Sequence, residues 1–404
     1  MKIRYLALSL LIIFSLTGCE ESGRSGSVVR EDLFSLNIGV LEDQIAIFNI
    51  QSGRNLSPVD ITMRNGFYYF SDSNGGKITR YNSYGDILFM IYNEETNPPP
   101  MTLRPFIEGN LLTRWAVHHP LLEPGYIAVD SRNHIFVQDS LPFERHGFDT
   151  ESSSLLNNTV IHFDATGRFL GNIGREGVGG TPFPRIEGLY SSIRDELAVV
   201  CRLTNGWNVY WFDSEGNLLF LVPLLNDAIP IPFGGDGLIP SLDTIAVSPD
   251  SRRIFVKVDY YGHIVDESTN TRMGIEPSRT IMWVMNAEYG FWENQIDVPF
   301  YEYTYTEQNR RLTARMIYSL MGIINNERMF FSFPVDGGYS ILVLSSDTDG
   351  SVSHHQGFIQ VDLDEQQFNV FDLSNDGILS GLLVSEWQAK LVWWRTDRLL
   401  SEGS

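Results

Sequence analysis

Hydrophobic positions in this chain fall in short runs broken by Gly, Asn and Asp, and no long stretch repeats them at helical spacing. One turn signature recurs: an apolar run ends in an aromatic, followed by Asp or Asn, two residues and Gly. It stands at Tyr81-Asn82-Ser83-Tyr84-Gly85, Phe163-Asp164-Ala165-Thr166-Gly167 and Phe212-Asp213-Ser214-Glu215-Gly216, with looser forms at Met285–Gly290 and Leu344–Gly350. An Asx side chain bonds its own turn backbone and Gly reaches positive φ, so the spacing predicts hairpins.

Each turn has the same neighbours. The strand before it is Ile78–Tyr81, Val160–Phe163, Val209–Phe212, Ile281–Met285 or Ile341–Leu344. Upstream lie Phe67–Ser71, Ile135–Gln138, Leu197–Cys201, Ile254–Val258 or Met329–Phe333. Upstream again are Val59–Thr62, Ile127–Asp130, Ile186–Tyr190, Ile245–Ser248 or Met316–Leu320. A last set, Phe368–Phe371, Ile378–Val384 and Leu391–Trp394, lacks a fourth strand, while Asp43–Phe48 is an orphan strand ahead of the first set. A ring of four-stranded sheets must close its edges. The pattern therefore predicts an all-β, six-bladed β-propeller over residues 33–404, with an N-terminal strand closing the last blade.

These units resemble NHL-type propeller blades. Gly125 through Asp139 together with Val160 through Phe169 resembles a complete NHL blade, and Pro58 through Leu88 matches nearly as well. By motif the resemblance covers roughly residues 57–225, and beyond that only the period persists. It implies architecture and no particular chemistry.

The chain opens with Lys2 and Arg4, then an apolar run from Tyr5 to Leu16, too short to span a bilayer but suited to a signal peptide. Leu16-Thr17-Gly18-Cys19 resembles the lipobox of bacterial lipoproteins, which implies cleavage of residues 1–18 and lipidation of Cys19. Residues 19–32 read as the lipidated cysteine and a flexible tether, whose reach as a coil is on the order of 20 Å. A lipobox ahead of a propeller also resembles uncharacterised bacterial envelope lipoproteins. The expected place is the cell envelope, extracytoplasmic and held to a membrane by the N-terminal lipid. With Cys19 acylated, Cys201 alone remains, so no intramolecular disulfide is expected.

The 404 residues carry 50 acidic and 29 basic groups, a formal charge of −21. That balance excludes a nucleic-acid binder, which needs clustered Lys and Arg, and the four lysines exclude a polybasic membrane patch. The propeller is expected to be monomeric.

Long segments interrupt the repeat at 93–123, 140–159, 223–240, 259–279 and 298–313. With strands lettered A to D from axis to rim, each falls in a B–C or D–A connection, and in an antiparallel blade these share one face. Insertions on a rigid scaffold carry function. Their Arg, Tyr, Trp and His content marks Arg104, Arg114, Trp115, His118, Arg145, His146, Tyr260, Tyr261, Tyr301, Tyr303 and Tyr305 as candidate contacts for an envelope protein or glycan. Aromatics of this kind also fold loops onto a scaffold, and Tyr301, Tyr303 and Tyr305 alternate as one side of a β-ribbon would.

Signatures of catalysis are missing: no His-Glu-x-x-His, no Gly-x-Ser-x-Gly, no phosphate loop. His118-His119 and His354-His355 diverge in extended chain, and Ser345, Asp347 and Asp349 form only the start of a calcium loop. No cofactor and no metal are expected under the main reading, a non-catalytic binding module. The alternative is a calcium-dependent hydrolase or lactonase with an axial site, a reading implied by some similar propellers. Its candidates are Asp60, Asp130, Glu187, Asp243, Asn369 and Asp372.

Overall fold

The computed structural model describes residues 26–49, 55–56, 59–107, 109, 113–266, 268–269, 271–307, 310–346 and 351–400. Cys19, the signal peptide and residues 347–350 lie outside the described residues. Among those described there are strands and a few short 3-10 turns but no α-helix.

The strands build a β-propeller. Blade 1 takes Val59–Arg64, Phe67–Asp72, Lys77–Tyr81 and Ile87–Tyr92 as strands A to D. Blade 2 takes Ile127–Val129, Ile135–Ser140, Asn158–Phe163 and Phe169–Gly174. Blade 3 takes Arg185–Ser191, Leu197–Arg202, Gly206–Phe212 and Leu218–Leu225. Blade 4 takes Ile239–Val247, Arg253–Asp266, Thr271–Asn286 and Phe291–Val298. Blade 5 takes Ser319–Ile324, Arg328–Val335, Gly338–Ser346 and Val352–Gln360. Blades made wholly of consecutive strands thus number five, not six. The remaining sheet is composite: Phe368–Leu373, Leu379–Val384 and Gln388–Trp394 are joined by Arg30–Ile38 from the other end of the chain.

The closing strand is not the orphan segment 43–48. Arg30–Ile38 pairs antiparallel with Gln388–Trp394, from Arg30 opposite Trp394 to Asn37 opposite Gln388. Residues 30–32, expected in the tether, begin this strand. It lies near a sheet edge and is mostly solvated, with Asp32 bonded to Lys390 and Glu31 to the Trp393 indole. An edge strand needs few apolar positions, so its sequence does not announce itself. The more apolar Ile45-Ala46-Ile47 is buried, and only Gln44–Ile45 joins the ladder, at the far edge. There the Ala46 backbone N–H donates to Asp72 at 2.8 Å.

Central strands are buried on both faces because each blade is sandwiched between two others, as in Leu197–Arg202 and Asn158–Phe163. Outer strands alternate, as in Leu218–Leu225. Cys201 is fully buried in the cluster between blades 2 and 3, and burial pushes its thiol well above the usual range. The closing seam is filled by Leu36, Leu382, Val384 and Leu391 against Ile61, Tyr68, Phe70 and Met90.

Hydrogen bonds between neighbouring A–B turns lock the ring at one face. Asn65 donates to Asn133, the Ser131 amide to Asp195, the Ile193 amide to Pro249 O, the Asn326 amide to Asp250 and the Asn325 amide to Asn375 O. The Asx-x-x-Gly turns form as read: Asp164 accepts from the amides of Thr166 and Arg168, with Gly167 at φ 84°. Gly167 is also a packing requirement, since a Cβ there would sit 2.5 Å from the Phe89 ring of blade 1.

Candidate binding face and axial channel

Four of the five insertions stay at the face of the B–C and D–A connections; the first does not. Residues Trp115–His118 turn back along the outer edge of blade 1, parallel to its D strand. This carries Arg114 and Trp115 to the opposite face. There Arg114 pairs with Asp86 at 3.0 Å, and the Trp115 indole N–H donates to Thr166 O at 2.9 Å. Trp115 packs on Phe89 and Phe106, with the Arg80 guanidinium over its ring. It fastens blade 1 to blade 2 and is not a free anchor. His118 is exposed, 3.8 Å from Glu94, and Arg104 is exposed on the added edge strand Arg104–Pro105.

Tyr260 is likewise structural. It is wholly buried, donates its hydroxyl proton to Pro230 O at 2.5 Å and accepts the Trp283 indole N–H at 2.8 Å. It thereby pins the third insertion onto blade 4. Tyr261 is half-buried beside it, and His146 is tied to Leu141 O at 2.8 Å. Arg145 is exposed on a 3-10 turn next to Phe143, which is 83% exposed.

The remaining candidates form a distinct device. Tyr301–Glu307 and Arg310–Met316 pair as a two-stranded hairpin belonging to no blade, which is the ribbon that the alternating tyrosines predict. Cross-strand register puts Tyr301, Tyr303 and Tyr305 on one face with Met316, Ala314 and Leu312. Thr304, Arg311, Thr313 and Arg315 share the other. At the root Tyr301 stacks on Phe333 at 4.7 Å and meets Tyr318 edge-on, which holds the hairpin to blade 5. Further out Tyr303 and Tyr305 stack on each other at 6.1 Å and stay 55% and 38% exposed.

Beside it the two central strands of blade 4 run on past the blade as far as Asp266 opposite Thr271. This extension exposes Ile264, Val265, Met273 and Ile275, and the neighbouring loop exposes Phe233 at 98%. Sequence reading passed over these positions, because it picked insertion residues by their Arg, Tyr, Trp and His content and not by aliphatic side chains.

Three of the six axial candidates line the channel: Asp60, Glu187 and Asp372, with Arg64, Tyr126 and Tyr190 around a cavity of about 270 Å³. Asp60 accepts the Ile127 amide of blade 2 at 3.0 Å, and Asp372 accepts the Met63 amide of blade 1 at 2.8 Å. Burial pushes their carboxyls up to about 6 and about 7. Glu187 pairs with Arg185 at 2.9 Å. The other three lie elsewhere. Asp130 folds its own A–B turn around Arg132 and His134. Asp243 pairs with the buried Lys257 at 3.0 Å, and Asn369 donates to the Tyr339 hydroxyl at 3.0 Å. The six candidates of the alternative calcium reading are thus not brought to one point, and among the described residues no three His, Cys, Asp or Glu side chains are grouped to hold a metal ion. Asp60 and Asp372 instead stitch adjacent A strands, each holding the next strand's amide.

No family model matches this chain, and no curated protein matches it either. Among solved structures, similar chains include regucalcin, a calcium-binding protein from Agrobacterium tumefaciens, at 10% identity and TM-score 0.41, covering 92% of this chain and 97% of its own. A protein of unknown function from Dyadobacter fermentans has 8% identity and TM-score 0.38, covering 91% and 99%. The β-propeller domain of the trilobed protease from Pyrococcus furiosus has 10% identity and TM-score 0.36, covering 84% and 96%.

Proposed function

We propose that this chain is a lipid-anchored bacterial envelope protein, and that its propeller is a non-catalytic module that binds a protein partner. In this reading the composite sheet serves as the sixth blade of an NHL-like ring, and the N-terminal lipid on Cys19 holds the ring near a membrane. The observation that carries the binding role is the hairpin of Tyr301–Glu307 and Arg310–Met316, with stacked, solvent-facing tyrosines on one side and, among the described residues, no further strand on either edge. Large aromatic side chains held rigid and exposed are the groups that anchor protein interfaces, and open strand edges accept a partner strand. Phe143, Phe233 and Met273 add apolar surface on the same face. A hydrolase built on axial calcium has less support, because Asp130, Asp243 and Asn369 are engaged elsewhere.

A photo-crosslinking residue at position 303 or 305, introduced into the full chain in its native envelope, tests this. The expected result is a discrete adduct from both positions and none from position 84, which is exposed on a C–D turn at the other face. Equal adducts from position 84, or none from 303 and 305, would refute it.

A further inference from the structure

The face opposite the hairpins holds a feature independent of that reading. His134 precedes the second strand of blade 2, and His162 lies on the third. Phe136 pairs directly with His162, so His134, two residues back on the same side, is its diagonal neighbour. Nδ1 of His134 and Nε2 of His162 face each other at 3.1 Å. Both residues are held in place. His162 stacks flat on Phe136 with ring centres 4.3 Å apart, and the His134 amide donates to Asp130 at 2.8 Å. The pair opens onto a cavity of about 250 Å³ between blades 2 and 3, whose wall includes Arg132, Ser214 and Glu215.

Two ring nitrogens this close repel through their lone pairs unless a proton or a cation lies between them. Nitrogens bound to one metal at about 2.0–2.1 Å and a tetrahedral angle stand roughly 3.3 Å apart, so the rings need little adjustment to share an ion. The surroundings favour positive charge. The buried Asp130 carboxylate is 3.9 Å from His134 Nδ1, Glu215 lines the cavity, and Arg132 is already committed to Asp130 and Asp195.

We infer that His134 and His162 form a binding site for a transition-metal dication, with two imidazoles from the protein and water from the cavity in the remaining positions. Among the described residues no third ligand completes the set. The site is therefore a two-imidazole one, and Cu²⁺ binds it more tightly than Zn²⁺. The sequence hides it, because the two histidines stand 28 positions apart and neither belongs to a spaced motif.

The test is copper titration of the untagged full chain, purified in detergent and stripped with chelator, read by calorimetry and electron paramagnetic resonance. Replacing His118, His119, His354 and His355 by Ala removes background sites. The expected result is one Cu²⁺ per chain with the signature of two nitrogen ligands, displaced by excess Zn²⁺. Affinity should fall at least about tenfold in His162→Ala. His134→Asn, at a half-buried position where the fold is less at risk, should show the same loss, with near-ultraviolet circular dichroism confirming native packing. Undiminished copper binding in His134→Asn, or a wild-type complex without paired nitrogens, would overturn the proposal and leave the rings sharing a proton.

Discussion

Replacing Asp372 by Asn should stabilise the fold at alkaline pH, and the advantage should vanish as the solution is acidified. The folded chain holds this carboxyl at about 7 against an ordinary value of 3.8, because burial penalises the charged form more than the Met63 amide favours it. An acid whose folded value is raised binds its proton more tightly in the native state, so stability falls as pH rises from about 4 through about 7. A shift of about three units corresponds to at most about 4 kcal/mol, and exposure to the solvent-accessible channel reduces that to roughly 1–3 kcal/mol. Asn keeps an oxygen for the Met63 amide but carries no charge at any pH. Urea unfolding at pH 8, 7, 6 and 5 reads the difference as a shift in midpoint at constant slope. The variant should be more stable at pH 8, with the gap closing by about pH 4–5. Asp60 repels the same charge, so Asp60→Asn should gain less when added to Asp372→Asn than alone. A gap independent of pH, or a variant less stable at pH 8, would show that the Asp372 carboxylate is not under strain in the channel wall.

Tyr260→Phe should cost about 1–3 kcal/mol, because the Trp283 indole N–H is left buried without an acceptor; a loss under about 0.5 kcal/mol in thermal unfolding would contradict the pinning role. Gly167→Ala meets both a positive φ and the Phe89 ring, and should destabilise by about 2–4 kcal/mol. Gly290→Ala, with φ +70° but open space around it, should cost only about 1–2 kcal/mol, and equal losses would remove the packing argument. Cys19→Ser should abolish incorporation of labelled palmitate and release the chain from the membrane fraction, whereas labelling that persists would rule out Cys19 as the acylated residue.

Much of the architecture was legible because it rests on short-range causes. The Asx-x-x-Gly turns at Asp164 and Asp213 bond their own backbone within four residues, so they read identically in the linear chain and in the fold. Continuous apolar runs such as Leu197–Cys201 marked central strands, since burial on both faces leaves no alternation. The ribbon of Tyr301, Tyr303 and Tyr305 was visible for the same local reason, a period of two.

What the amino-acid order determined by itself was the set of strands, their turns and the lengths of the insertions. Closure came from Arg30–Ile38 in place of Asp43–Phe48, because an edge strand needs backbone pairing more than apolar side chains. Trp115 and Tyr260 proved to be internal fasteners while Tyr303 stayed in water, a distinction that depends on which blade lies alongside. Asp60 came to lie near Asp372 on neighbouring A strands, and His134 met His162 inside one blade, only through ring closure and strand register. Convergence of that kind belongs to the tertiary structure, because it follows from twist and neighbour identity over distances that no local pattern encodes.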